Sequence, residues 1–274
     1  MSKLRLLVIG CGKMGSAILD GIIRKNVIEN NSLFIVEPNI DQKIYLEKKG
    51  LTVFKKISEL NLSKLRINSI LLAVKPQIVK EVVTDLKKIM TSNIFIISIV
   101  AGKRISFYKK ILGNKTSIIR VMPNTPASYG KGVTALYSCN KTKTTNLNIT
   151  KTLFSSVGKV IVLKLESKMD IVTAISGSGP AYVFLFIEYM IQSAVDFGLD
   201  KRTATILVKE TLLGSSYLAS ISDKSPKVLR KDVTSPGGTT EAALNVFNKN
   251  NSFYNIVNTA IKAAIKKSIK LSSE

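Results

Sequence analysis

The apolar run Leu4-Arg5-Leu6-Leu7-Val8-Ile9 leads directly into Gly10-Cys11-Gly12-Lys13-Met14-Gly15, and this junction constrains the fold more than any other stretch of the chain. A short apolar segment with β-branched members, ended by glycine, predicts a buried parallel strand. Met14 to Lys25 predicts a helix immediately after it. The first glycine permits a tight turn, the second lets backbone approach a pyrophosphate, and the third allows helix and strand to pack closely. That spacing alone is a weak signal. Its strand–turn–helix setting near the N-terminus, with a second strand ending at Glu37, points to a dinucleotide-binding unit.

The same alternation continues. Strands are predicted at Leu33 to Val36, Leu51 to Phe54, Ser69 to Val74, Ile94 to Ile99 and Ser117 to Met122. Helices at Asp41 to Lys49, Gln77 to Met90 and Ser106 to Leu112 separate several of them. This is the pattern of an α/β, Rossmann-type, doubly wound parallel sheet. Strands at Val133 to Tyr137 and Lys159 to Leu163 are expected to extend it, with a helix near Thr145 to Ser156 between them. After about Leu165 strand-like runs stop. Helices are predicted at Lys168 to Ile175, Ala181 to Phe197, Lys201 to Ile221 (capped by Asp200), Pro226 to Asp232, Thr239 to Asn248 and Ser252 to Leu271. The expected organisation is a dinucleotide-binding domain over 1–165 and an all-α domain over 166–274. The helix from Ala181 is apolar nearly all round, which predicts burial on most faces and an interface with a second copy of the chain.

Composition excludes several chemistries. The chain has 274 residues and no histidine, which removes Ser-His-Asp and Cys-His arrangements and histidine metal ligation. Cys11 and Cys139 lack metal spacing, so no metal site is expected and a reducing cytoplasm fits. No secretory leader pattern is read at the N-terminus. The apolar run Ala181 to Ile187 stops at Glu188, too short to span a bilayer, so no membrane partner is expected. The formal charge of +23 raises the question of nucleic acid. The lysines are scattered, tryptophan is absent and no aromatic-interleaved basic motif occurs, so no nucleic-acid partner is expected.

Ligands of doubly wound sheets bind outside the carboxyl ends of the strands. Candidate cofactor-binding residues are therefore Gly10, Cys11, Gly12, Lys13, Met14 and Gly15. Ala73-Val74-Lys75-Pro76 after the fourth strand, Ala101-Gly102 after the fifth and Asn124 after the sixth complete the set. Glu37 stands where a carboxylate accepts hydrogen bonds from an adenine ribose 2′-hydroxyl. No arginine adjoins it, though Lys43 follows; the residue leans toward NADH while admitting NADPH. In Ser235-Pro236-Gly237-Gly238-Thr239-Thr240-Glu241, a Gly-Gly turn feeds a helix start, which exposes N–H groups at the positive end of a helix dipole and suits an anion. The two threonine hydroxyls are expected to cap the helix or to touch a ligand.

These motifs, taken in order with Ser176-Gly177-Ser178-Gly179-Pro180-Ala181-Tyr182, resemble the pyrroline-5-carboxylate reductase family over essentially the full chain. The resemblance implies NAD(P)H-dependent reduction of 1-pyrroline-5-carboxylate to L-proline, the last step of proline biosynthesis. It implies a helical dimerisation domain, and homodimers that assemble into decamers. It places the substrate carboxylate at Ser235, Gly237, Gly238 and Thr239, and the ring nitrogen near Thr240, the catalytic candidate. A protonated cyclic imine is already electrophilic at carbon, so the reaction needs orientation more than a strong acid. Glu37 departs from the small polar residue of many relatives.

Two other readings are weighed. A β-hydroxyacid-type dehydrogenase would carry a catalytic lysine on the long helix, and Ala181 to Phe197 has none. A basic nucleic-acid-binding protein retaining the fold would bind DNA with steep salt dependence.

Overall fold

A computed structural model describes residues 4–139 and 142–273. Its sheet is built from β1 (Leu6–Ile9), β2 (Leu33–Val36), β3 (Thr52–Phe54), β4 (Ser69–Leu72), β5 (Phe95–Ser98), β6 (Ile118–Met122), β7 (Gly132–Ser138) and β8 (Gly158–Val162), in the order β3-β2-β1-β4-β5-β6-β7-β8. The helices around it are α1 (Lys13–Arg24), α2 (Ile40–Lys48), α3 (Val79–Ile89), α4 (Ile105–Leu112) and α5 (Thr144–Ser155). The first six strands are parallel, which gives the Rossmann-type core.

The all-parallel expectation fails at β7, which pairs antiparallel with β6. The link between them holds only a short 3-10 turn over Thr125–Tyr129, whereas a parallel return needs a crossover of a dozen or more residues. The α5 crossover supplies one, so β8 pairs parallel with β7.

Strand alternation sends Leu6 and Val8 to one face and Leu7 and Ile9 to the other. The first face packs against Ile18, Leu19 and Ile22 of α1, the second against Val83 and Leu86 of α3 and Tyr108 of α4. Both faces being covered explains why these strands read as continuous apolar runs.

By packing, the chain divides into two compact units. One reaches to Ser178 and takes the chain in again from Ala264; the other is Gly179–Ala263. The second contains α7 (Gly179–Asp196), α8 (Lys201–Ile221), α9 (Pro226–Asp232), α10 (Thr239–Asn248) and the start of α11 (Ser252–Ser273). The short α6 (Met169–Val172) packs with the first unit, as does the end of α11.

A network of buried charge ties these segments down. Arg120, 4% exposed, meets Glu166 Oε1 at 3.3 Å, and that oxygen also accepts the Ile105 N–H at 2.9 Å. Asp170, 3% exposed, accepts the Ser268 hydroxyl at 2.8 Å and pairs with Arg104 at 3.4 Å.

The single helix expected over Lys168 to Ile175 is instead a 3-10 turn, α6 and a π-turn over Thr173–Gly177. Thr173 and Ser176 hydroxyls bond back to the Met169 and Val172 carbonyls at 2.8 and 3.0 Å, and the Ser178 N–H reaches the Thr173 carbonyl at 2.8 Å. Such back-bonding competes with regular helical pairing. In the second unit α8 starts as expected, with the Asp200 carboxylate accepting the Thr203 N–H at 3.0 Å. By length and composition the helical stretch Lys168–Asp196 could cross a membrane. Its α7 portion has no buried residue, and Phe184 is 62% exposed.

Candidate active site

The glycine loop is shaped by what surrounds it. Gly10 has φ +89°, and a Cβ there would lie 2.9 Å from the Ala73 carbonyl oxygen. A Cβ on Gly15 would stand 2.5 Å from the Gly10 carbonyl oxygen, so α1 can approach the strand only with glycine in place. A Cβ on Gly12 would meet nothing within 4 Å. Gly12 is also the N-cap of α1 and offers no side-chain acceptor, so the first-turn N–H groups keep the open valence of a helix start. A turn that is tight at its first glycine, bare at its second and uncapped suits a diphosphate.

Glu37 is 8% exposed and uses both carboxylate oxygens. Oε2 accepts the Cys11 N–H at 2.8 Å, and Oε1 accepts the Asn39 N–H at 2.9 Å. The side chain thus ties the glycine loop to the end of β2. Cys11 is buried beside it; burial first, and then the nearby Glu37 and Asp20 charges, push its thiol from 9.0 up to about 12. The thiol is therefore protonated and inert at neutral pH.

An open groove of about 1250 Å³ lies at these strand ends. Of the sequence-predicted residues, Gly10, Cys11, Gly12, Glu37, Ala73, Val74 and Lys75 line it. Lys13, Met14 and Gly15 form the first turn of α1 beside it. Pro76, Ala101, Gly102 and Asn124 are not in its lining. Gly102, with φ +73°, faces the end of α11, where a Cβ would lie 3.0 Å from the Leu271 carbonyl oxygen. Asn124 Oδ1 accepts the Val133 N–H at 2.9 Å and so fixes the turn into β7. The end of β5 is held by Ser98, whose Oγ accepts the Val100 N–H at 3.2 Å and bonds the Tyr108 hydroxyl at 2.5 Å.

Sequence reasoning missed Gln42, Lys55 and Lys56, which also line the groove. The available signal was their position at or just beyond the carboxyl side of β2 and β3.

In the second unit, the turn before α10 carries its own internal bonds. Gly237 has φ +71°, and its N–H donates to Glu241 Oε2 at 2.7 Å; the Gly238 N–H donates to the Ser235 carbonyl at 3.1 Å. The helix N-cap is Gly238, and no side chain caps it. The expected threonine cap is thus corrected: Thr239 and Thr240 are the first two helical residues, and Glu241, the third, reaches back to the N–H of Gly237, the residue before the N-cap. The first-turn N–H groups of Thr239 and Thr240 remain open to a ligand. Ser235, Gly237 and Thr239 are exposed and Thr240 is half-buried. Among the described residues no group of three or more His, Cys, Asp or Glu could hold a metal ion.

Residues 166–271 match the family described as pyrroline-5-carboxylate reductase dimerisation. Residues 5–102 match the family described as NADP oxidoreductase, coenzyme F420-dependent. The pyrroline-5-carboxylate reductase of Arabidopsis thaliana is 37% identical over 96% of this chain and 94% of its own. That of Pasteurella multocida is 34% identical over 98% of each. Among solved structures, the Plasmodium falciparum pyrroline carboxylate reductase with NADP bound has a TM-score of 0.86 at 34% identity, covering 99% of both chains. The Coxiella burnetii pyrroline-5-carboxylate reductase has a TM-score of 0.90 at 32% identity, again over 99% of both. A prephenate dehydrogenase from A. aeolicus, at 16% identity and a TM-score of 0.55, shares the fold alone. With the glycine loop, the groove and the Gly-Gly helix start all on one chain, and full-length relatives above 30% identity, the chain belongs to the pyrroline-5-carboxylate reductase family.

Proposed function

We propose that this chain reduces 1-pyrroline-5-carboxylate to L-proline with NAD(P)H. The observation that carries the reading is the Ser235–Glu241 turn: a small anion site at the start of α10, in a chain that also has an uncapped glycine loop facing a groove. The Gly10–Gly15 loop and the first turn of α1 would hold the diphosphate, and Glu37 the adenine ribose. When bound, the cofactor supplies a hydride to the imine carbon.

The protein's remaining tasks are binding and orientation. The Thr239 and Thr240 N–H groups and the Ser235 hydroxyl take the substrate carboxylate. The Gly237 N–H joins them only when Glu241 releases it, and the backbone of Gly238 shapes the turn. Thr240 hydrogen-bonds the ring nitrogen, which enters as a protonated imine and leaves as a secondary amine. The inert Cys11 thiol and the absence of histidine fit a reaction that needs no strong side-chain acid.

The finer assignments belong to the same proposal. Glu37 favours NADH. Residues 1–165 serve the cofactor, and 166–274 serve substrate and dimerisation. The exposed apolar side chains of α7 pack in a homodimer that assembles into a decamer in the cytoplasm, without membrane or nucleic acid.

The test is oxidation of NADH and NADPH with 1-pyrroline-5-carboxylate, beside a panel of other cyclic imines and 2-keto acids. Turnover confined to the pyrroline ring supports the reading, and faster turnover of a keto acid rejects it.

A further inference from the structure

The cofactor groove carries a charge arrangement that the glycine loop does not explain. β2 and β3 are parallel with Val36 opposite Phe54, and the Glu37 N–H donates to the Phe54 carbonyl at 3.0 Å. The next residues in register are therefore Glu37 and Lys55, about 4.8 Å apart in the pairing direction. Lys56 follows directly, and all three line the groove.

The two partners differ in how far they are already engaged. Both Glu37 oxygens accept backbone N–H groups, and the side chain is buried. Lys55 and Lys56 are exposed, and neither side chain has an ion-pair partner among the described residues. The Lys55 backbone is positioned by its N–H, which donates to Glu59 Oε2 at 3.0 Å.

We propose that Lys55 and Lys56 are the residues through which this chain accepts a 2′-phosphorylated dinucleotide. This rests on the reading of the groove as the NAD(P)H site and deepens it. A 2′-phosphate at the β2 end meets the Glu37 carboxylate on one side. Two backbone N–H groups partly offset that charge. On the other side the phosphate gains two ammonium groups that bond it with charge assistance. A ribose 2′-hydroxyl gains little from the lysines. Glu37 therefore sets the lean toward NADH, and the lysine pair determines how far NADPH is tolerated. Because the ammonium groups are exposed, this contribution is screened by salt.

The test measures binding without substrate, so it does not depend on the reaction assigned to the chain. NADH and NADPH are titrated into the full-length protein and into Lys55→Ala/Lys56→Ala, with nicotinamide fluorescence as the readout. Adenosine 2′,5′-bisphosphate and 5′-AMP serve as calorimetric probes of the adenosine end alone. The proposal expects the ratio of NADPH to NADH dissociation constants to rise about tenfold or more in the double variant. Bisphosphate binding should fall relative to 5′-AMP. Lys55→Arg/Lys56→Arg should restore most of the ratio, and the wild-type ratio should rise with salt. A ratio that stays within about twofold of wild type overturns the proposal, as does equal weakening of both cofactors, since general electrostatic attraction predicts that. If wild type binds neither cofactor, the groove is not a dinucleotide site and both readings fall; if both bind but the pyrroline ring is not reduced, only the reaction is wrong.

Discussion

The Glu37 carboxylate accepts the Cys11 N–H at 2.8 Å, joining the end of β2 to the second residue of the glycine loop. One side chain thus both braces the loop and lines the groove proposed for the cofactor. Glu37→Gln keeps one acceptor but turns an amide donor toward the Asn39 or Cys11 N–H. Folding stability should fall by about 1–3 kcal/mol, read by urea unfolding. The NADPH-to-NADH dissociation-constant ratio should fall as well, because a repelling charge has gone.

Thr240 sits at the second position of α10 with its hydroxyl uninvolved in capping. Thr240→Ala should lower kcat/KM for 1-pyrroline-5-carboxylate by about tenfold or more, while Thr240→Ser recovers most of it. Circular dichroism should show α10 unchanged, since no cap is removed. Unaltered kcat/KM in the alanine variant would remove Thr240 from the reaction.

Glu241 holds the Gly237 N–H at 2.7 Å and so puts a negative charge at the proposed carboxylate site. Glu241→Gln keeps an acceptor and deletes that charge. The substrate KM should fall about threefold at low salt, with the difference shrinking as salt rises. A raised KM would mean that the carboxylate docks elsewhere.

Two buried acids make the fold sensitive to alkali. Burial raises the Cys11 thiol from 9.0 to about 12 and the Tyr108 phenol from 10.0 to about 12, the latter against a smaller opposing effect of its Ser98 bond and the Arg120 charge. Each group holds its proton more tightly folded than unfolded. Its contribution is complete below the unfolded value and is lost as pH climbs from there toward about 12. Urea midpoints should decline over that window. Tyr108→Phe should flatten the decline even though it loses the Ser98 bond.

Asp170 accepts hydroxyl bonds from Ser268 at 2.8 Å and Ser272 at 3.3 Å and pairs with Arg104. Asp170→Ala leaves the buried Ser268 hydroxyl without this acceptor and should cost about 2–4 kcal/mol. Hydrogen exchange should accelerate first in the last turns of α11.

The parts legible in the sequence are those set by local pattern. Apolar runs and glycine spacing placed β1, the loop and α1, and Asp200 marked the start of α8. The reversal of β7 depends on how few residues separate Met122 from Gly132, which a count of strand signals does not weigh. The π-turn depends on Thr173 and Ser176 choosing backbone carbonyls over solvent. Lys55 becomes a groove residue only once Val36 is registered against Phe54. Gly102 reads like a cofactor-loop glycine because its neighbour, Leu271, lies at the far end of the chain. At the Gly-Gly turn, the four-residue spacing from Gly237 to Glu241 carried the back-bond that the two threonines obscured.

The return of α11 to the first unit has a bearing on biosynthesis. The sheet emerges from the ribosome early, yet Gly102 and Asp170 wait for Leu271 and Ser268, which are made much later. Early domains usually complete themselves during translation. Here the N-terminal unit reaches its final packing only after α11 has been made, so a product stalled or truncated before it carries an unfinished wall beside the β5 loop.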